Sequence, residues 1–326
     1  MSAFSGKQVL ITGGAGFIGS NLAHYFEKQG AEVVVFDRFQ DTERLDNGNK
    51  ASFGHYKNLL GFKGEVVAGD INDREALLEL GEFDYIFHQA AISDTTVGDQ
   101  KRVIETNVNT FKTLLQMAQK SGAPLVYASS GAVYGKLPAP HRVGTEAPAN
   151  VYGYSKLAMD HIAMRWAKKS DFPIVGLRYF NVYGPREYFK EKTASMVLQF
   201  GLQLLKGEPA KLFEGSDKIK RDFIYVDDVV QANVLAATKG ASGIFNVGTG
   251  KARSFQDIVD ILKAQLGIER EDAYIPNPYV KQYQFFTEAD IEPTRKVLGY
   301  EPRYSLEEGI RADIPYIRKI FEEELQ

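Results

Sequence analysis

The chain has no cysteine among its 326 residues. Disulfides, thiolate nucleophiles and cysteine-ligated metals are therefore excluded. No apolar run approaches the roughly 18 residues that a membrane-crossing helix needs. Positive charge is not in surplus either: 39 Lys and Arg against 42 Asp and Glu leave a formal charge of −3. Nucleic-acid binding calls for a net basic surface or stripe, so no such partner is expected. Internal repeats and low-complexity segments are absent. The opening stretch, MSAFSGKQVLITGG, becomes strand-like almost at once and leaves no place for a secretory signal. The expectation is a cytoplasmic protein that engages neither membrane nor nucleic acid.

What is present is a composition of 44% hydrophobic and 25% charged residues, that of a soluble globular protein. Short β-branched runs alternate with longer helical patterns through the first half. Candidate strands are QVLITGG (8–14), AEVVVFD (31–37), GEVVAGD (64–70), YIFHQAA (85–91), PLVYASS (124–130) and PIVGLRYFNVYG (173–184). Helical stretches such as GSNLAHYFEKQG and TNVNTFKTLLQMAQKSG lie between them. This alternation predicts an α/β fold: a doubly wound Rossmann parallel sheet, accompanied by a second, smaller α+β substrate lobe. The large domain is expected over residues 1–184 and 223–251, with RDFIYVDDV (221–229) and GIFNVGTG (243–250) returning to it. The discontinuous lobe takes 185–222 and 252–326. The polar stretch 41–55 reads as a mobile loop.

Each strand ends in small or polar residues, and ligands of open α/β sheets bind outside the carboxyl ends of the strands. LITGGAGFIGSNL places Gly13, Gly16 and Gly19 after a strand and at the opening of a helix. Glycines there permit a tight turn, close backbone approach to a pyrophosphate and close helix–strand packing. Asp37 closes the second strand about 20 residues further on, where a ribose-binding acid belongs. Arg38 and Arg44 follow it, and a cation beside that acid suits the 2′-phosphate of NADP. NADP is therefore expected, with NAD as the alternative.

VYGYSKLAMD sets Tyr152 and Lys156 four apart, on one helical face, while Tyr154 points elsewhere. A plain alternative is a core tyrosine with Lys156 paired to Asp160. Three features together favour chemistry: the glycine turn, the strand ending in Ser129 and Ser130, and their order along the chain. A tyrosine titrates near 10, and lowering it by about three units requires roughly 4 kcal/mol of preference for the phenolate. A cation at ~4 Å supplies about that much at an effective dielectric near 20. Lys156 and an oxidised nicotinamide are two such cations, and Ser130 can hold the substrate oxygen. The set suits alcohol–ketone interconversion with hydride transfer.

TGGAGFIG, the strand-end Ser130 and YGYSK resemble the extended short-chain dehydrogenase/reductase family of nucleotide-sugar enzymes. The resemblance covers nearly the whole chain and implies a Rossmann domain with a smaller C-terminal substrate domain. Dehydratases of that family carry an Asp-Glu pair after the catalytic Ser or Thr; Gly131 and Ala132 stand there in this chain, which argues against elimination. The stretches GLRYFNVYGPRE, TASM, KLFEGS, KRDFIYVDDV, GIFNVGTGKARSF and YQFFTEAD resemble the epimerases of this family that act on ADP-sugars. This resemblance implies epimerisation at C6″ of an ADP-activated heptose, a homo-oligomer, and a product bound for the lipopolysaccharide core. Tyr152, Lys156 and Ser130 would form the first acid/base set and Lys190 the second proton-transfer residue, with Lys192 as its competitor. The turn from Gly13 through Gly16, Phe17 and Ile18 to Gly19 would line NADP. With it would stand Asp37, Arg38, Arg44, Asp70, Ile71, Gln89, Ala90, Ala91, Ser93 and Asn107, joined by Tyr152 and Lys156. Asn181, Lys192, Gln199, Phe213, Glu214, Gly215, Ser216, Arg221 and Tyr283 would hold the ADP-sugar. Lys218, Lys220 and Arg221 form a basic cluster that suits a diphosphate. No metal is expected. Where the family often has a cysteine, Ile92 stands here, and the proposed chemistry needs no thiol. Two alternatives remain: another nucleotide-sugar epimerase or reductase using a UDP- or GDP-sugar, and an inactive dinucleotide sensor.

Overall fold

The computed structural model describes residues 2–277 and 285–325. Its first half contains β1 (Gln8–Thr12), α1 (Phe17–Lys28), β2 (Glu32–Asp37), β3 (Glu65–Ala68), α2 (Arg74–Glu79) and β4 (Tyr85–His88). After these come α3 (Gln100–Ile104), α4 (Phe111–Ser121), β5 (Leu125–Ser130), α5 (Val151–Ala167) and β6 (Ile174–Tyr179). The remainder holds β7 (Asn181–Tyr183), α6 (Met196–Leu205), β8 (Lys211–Phe213), β9 (Lys220–Tyr225), α7 (Val226–Thr238) and β10 (Gly243–Val247). It closes with β11 (Ala252–Ser254), α8 (Phe255–Leu266), β12 (Ala273–Ile275), α9 (Glu292–Leu298) and α10 (Leu306–Glu324).

Seven parallel strands form one sheet in the order β3-β2-β1-β4-β5-β6-β10. Strand order reverses between β1 and β4, and the crevice of a doubly wound sheet opens at such a point. Alternation along β1 sends Val9 and Ile11 to one face, where they pack with Leu22 and Phe26 of α1 and Val229 of α7. Leu10 goes to the other face, with Leu114 of α4 and Met159 of α5. Side chains of this kind contribute about 1.5–3 kcal/mol each when fully buried, so both faces of the sheet are held. This is the doubly wound α/β architecture expected from the alternation. A third apolar cluster joins α6, α8 and α10 around Leu198, Phe200, Ile258, Leu262 and Ile317, beside the small sheets β11-β9-β7 and β12-β8.

Two segments depart from the sequence reading. PIVGLRYFNVYG is not one strand: β6 pairs with β5 and β10, whereas β7 pairs with β9 in the three-stranded sheet. RDFIYVDDV also divides. Its first part is β9 of that small sheet, and α7 begins at Val226 with Asp227 and Asp228 in its first turn. Those acids complement the positive end of the helix. The polar stretch 41–55 is anchored at several points. Leu45 packs with Ile92, Val97 and Val103, and Asn47 and Asn49 donate to Asp94 at 2.8 and 2.6 Å. No helix among the described residues is long and apolar enough to cross a membrane.

Candidate active site

The glycine turn is shaped by close approaches that no side chain would allow. Gly13 has φ +69°, and a Cβ on it would lie 2.6 Å from the Ala90 nitrogen. A Cβ on Gly19 would lie 2.1 Å from the Gly13 oxygen. Gly16 caps α1 without a side-chain hydrogen bond, and the first turn holds no acid. Its N–H groups and positive dipole end therefore remain available to an anion. Asp37 is buried at the end of β2 and accepts from the N–H of Ala15 and of Phe39, both at 2.9 Å. Burial raises its carboxyl above the usual range, and these backbone donors oppose the rise. A pyrophosphate at the helix start with a ribose near Asp37 fits this arrangement.

From this turn a cleft of about 930 Å³ runs across the carboxyl ends of the parallel strands. It is lined by Gly13, Gly16, Phe17, Ile18, Gly19, Asp37, Arg38, Asp70, Ile71, Gln89, Ala90, Ala91 and Ser93. Ser130, Tyr152, Lys156, Asn181, Lys190 and Lys192 line the same space. Other expected residues are not among its walls. Arg44 is exposed and donates to the carbonyls of Asp41 and Glu43. Asn107 lies buried in a π-helical turn (Glu105–Asn109), bridging the backbone of Ile92 and donating to Ser155 Oγ at 3.0 Å. It supports the wall rather than forming it. Gln199 turns back onto the carbonyl of Ala194 at 2.7 Å. Phe213, Glu214, Gly215 and Ser216 lie at the end of β8 and the turn after it. Arg221, on β9, is buried over the ring of Phe255. Tyr283 lies outside the described residues.

Several lining residues escaped the sequence reading. Gly54 is one: a Cβ there would lie 2.1 Å from Asp37 Oδ1, so the missing side chain makes room for that acid. Arg102 is another, reaching from α3 to Glu43 at 2.5 Å. Arg38 pairs with Asp41 at 2.9 Å, with Asp70 at 3.7 Å and with Glu43. The adenosine end thus carries the arginine pair Arg38 and Arg102, where Arg38 and Arg44 were expected. Tyr179, Phe180 and Thr287 also line the cleft. In sequence, Phe180 is an unremarkable aromatic next to Asn181.

Helix α5 presents the Tyr152 phenol and the Lys156 ammonium together, with Lys156 Nζ 5.9 Å from the tyrosine ring centre, while Tyr154 is exposed. Ser130 stands beside the Tyr152 phenol at the end of β5, its Oγ accepting from Ala132 N at 3.1 Å. Burial raises the Tyr152 phenol, and the Ser130 side chain opposes this. Burial also pushes Lys156 down to about 8, while the Asp160 charge opposes this. In the protein alone the phenol therefore lies above its ordinary range, before any charge that a bound nicotinamide would add. Lys156 does not pair with Asp160. Arg178 takes that carboxylate instead through Nε and Nη2 at 3.0 and 2.8 Å, and the hydroxyls of Tyr127 and Ser129 donate to it at 2.9 and 3.1 Å.

Lys190 enters the cleft from a 3₁₀ turn (Tyr188–Thr193), with Nζ 5.5 Å from the Phe17 ring at the start of α1. Burial lowers its pKa and the Glu187 carboxylate opposes that. Lys192, its competitor, is exposed. The cleft thus joins two proton-handling groups on separate elements to a glycine turn suited to a dinucleotide, a combination that serves reversible alcohol oxidation.

Comparison with known proteins agrees. ADP-L-glycero-D-manno-heptose-6-epimerase of Helicobacter pylori is 48% identical, with 97% of each chain covered and a TM-score of 0.89. UDP-glucose 4-epimerase of Thermotoga maritima, solved with UDP-glucose, is 30% identical over 96% of this chain and 99% of that one, with a TM-score of 0.84. UDP-glucose 4-epimerase of Thermus thermophilus, solved with NAD, is 30% identical over 95% and 99%, with a TM-score of 0.78. Residues 9–248, which include the glycine turn, Ser130, Tyr152, Lys156 and Lys190, match the NAD dependent epimerase/dehydratase family, to which this chain belongs.

Proposed function

We propose that this enzyme interconverts ADP-D-glycero-D-manno-heptose and ADP-L-glycero-D-manno-heptose by epimerisation at C6″, with NADP bound. The observation that carries the reading is the meeting of Tyr152 and Lys190, from α5 and from the turn after β7, in one cleft with the glycine turn. The 48% identity to the Helicobacter pylori enzyme supports the choice of sugar.

The glycine turn and Asp37 would hold the dinucleotide, which when bound would supply a reversible hydride acceptor with no net redox change. Ser130 and Tyr152 hold the reacting oxygen. In one orientation of the sugar Tyr152, as a phenolate stabilised by the Lys156 ammonium, takes the hydroxyl proton and becomes the neutral phenol. Once the planar ketone has turned, the Lys190 ammonium gives its oxygen a proton from the other side; in the reverse reaction the neutral amine takes that proton, which a lowered pKa favours. Gly131 and Ala132 offer no acid there for water elimination. Arg38 and Arg102 at the ribose end support NADP over NAD. The smaller lobe, with Asn181 and Lys192 in the cleft wall, would hold the ADP-sugar. A cytoplasmic homo-oligomer belongs to the same reading.

The test is incubation of the purified protein with ADP-D-glycero-D-manno-heptose, with the two epimers resolved. Interconversion is expected, and Tyr152→Phe should slow it by about 10²–10⁴-fold while the nucleotide stays bound. Turnover of a UDP- or GDP-sugar without heptose interconversion refutes the substrate. The mass of nucleotide released from denatured protein decides between NADP and NAD.

A further inference from the structure

Lys190 stands in a strained segment. Arg186 and Glu191, on either side of it, have φ of +75° and +53°, a left-handed conformation that side chains other than glycine rarely adopt. Such a backbone persists only where its surroundings over-determine it. Within the small lobe, Glu187 gathers the loop by accepting from Gly184 N at 3.1 Å and from Ser195 N and Oγ at 2.6 and 2.7 Å. The two residues flanking Lys190, however, are also held from the other side of the cleft.

The Phe189 ring stacks on His55, with centres 3.6 Å apart and planes 6° from parallel, and its carbonyl accepts from Gln40 Nε2 at 3.0 Å. Glu191 pairs with Lys50 at 2.6 Å, and Lys50 also donates to Gln40 Oε1 at 2.8 Å. His55 is in turn fixed to the glycine turn, its N–H donating to the Ala15 carbonyl at 3.0 Å. Ala15 donates to Asp37. A continuous set of contacts therefore links the dinucleotide-binding turn to both neighbours of Lys190.

We infer that the polar loop 40–55 is a clasp that positions Lys190, with His55, Gln40 and Lys50 as positioning residues, so that the second proton-transfer group is set by the dinucleotide domain. The inference rests on the proposed role of Lys190, and its test separates the two. Removing the stack frees Phe189 and lets the turn relax, which moves the amine and admits water to it. A displacement of about 1 Å in a reacting group can cost about 10²-fold in rate.

Three variants of the full-length, dinucleotide-loaded protein, His55→Ala, His55→Phe and Lys50→Met, are compared in two measurements. One is the pH dependence of Lys190 acylation by acetic anhydride, read by mass spectrometry without substrate. In the parent, Lys190 titrates below an ordinary lysine; in His55→Ala and Lys50→Met it moves toward the ordinary value, and His55→Phe, which keeps a stacking ring, holds the parent value. The other is epimerisation, where His55→Ala lowers kcat about 10-fold or more with KM and retained dinucleotide nearly unchanged. An unshifted Lys190 titration in His55→Ala, or a phenylalanine that fails to restore it, overturns the clasp. Full turnover by Lys190→Ala overturns instead the role assigned to that lysine, and leaves the acylation result to judge its positioning.

Discussion

Replacing Lys156 by methionine should make the protein more stable and inactive at once. Lys156 is 2% exposed, and burial moves it from an ordinary 10.5 to about 8. A displacement of that size corresponds to a penalty of roughly 3 kcal/mol on the ammonium at neutral pH. Methionine keeps an unbranched stem of similar length. It also leaves no anion stranded, because Asp160 is already satisfied by Arg178, Tyr127 and Ser129. The gain should therefore approach, without exceeding, that penalty. Its pH dependence follows from the depressed folded-state pKa. The penalty is fully present below about pH 8, shrinks as pH rises and is gone above the unfolded value of 10.5. Urea unfolding of both proteins at pH 7 and near pH 10 provides the measurement. Lys156→Met should be ahead by about 2–3 kcal/mol at pH 7, with the lead narrowing at the higher pH. A variant less stable than the parent at pH 7, or a lead that ignores pH, would refute the reasoning.

Gly54→Ala should weaken dinucleotide binding about 10-fold or more, a loss of roughly 1.4 kcal/mol, because its Cβ would press on Asp37 Oδ1. Fluorescence titration checks this, and unchanged affinity would show that Asp37 takes no part in binding. Arg178→Met should destabilise by about 3–5 kcal/mol, since it leaves the buried Asp160 and Glu146 without their cation. Adding Asp160→Asn should recover part of that in urea titrations; a double variant no better than the single one would mean that the charge is not the reason.

Much of the site is legible in the sequence for local reasons. The glycine spacing and Asp37 sit within one strand–turn–helix–strand unit, so their positions follow from chain geometry. Tyr152 and Lys156 share a helical face through the helical repeat alone. Elsewhere the deciding partner is remote. Asp160 lies one helical turn from Lys156, yet Arg178 on β6 captures that acid. Arg44 looks as well placed as Arg38 along the chain, but the anchoring of 41–55 leaves Arg44 outside the cleft and brings in Arg102 from α3. Asn107 has a polar side chain suited to a ligand, and the π-helical turn spends it on the backbone of Ile92.

From sequence alone come the parallel α/β sheet, the dinucleotide turn and the Ser130, Tyr152 and Lys156 set. Each rests on periodicity or on short spacings that the covalent chain imposes. Tertiary structure decided the rest: that PIVGLRYFNVYG crosses from one sheet to another at Phe180, that Asp37 needs Gly54, and that Lys190 shares a cleft with Tyr152 while held by residues 40–55. These depend on side chains far apart in the chain meeting in space, and no local pattern encodes which of them will meet.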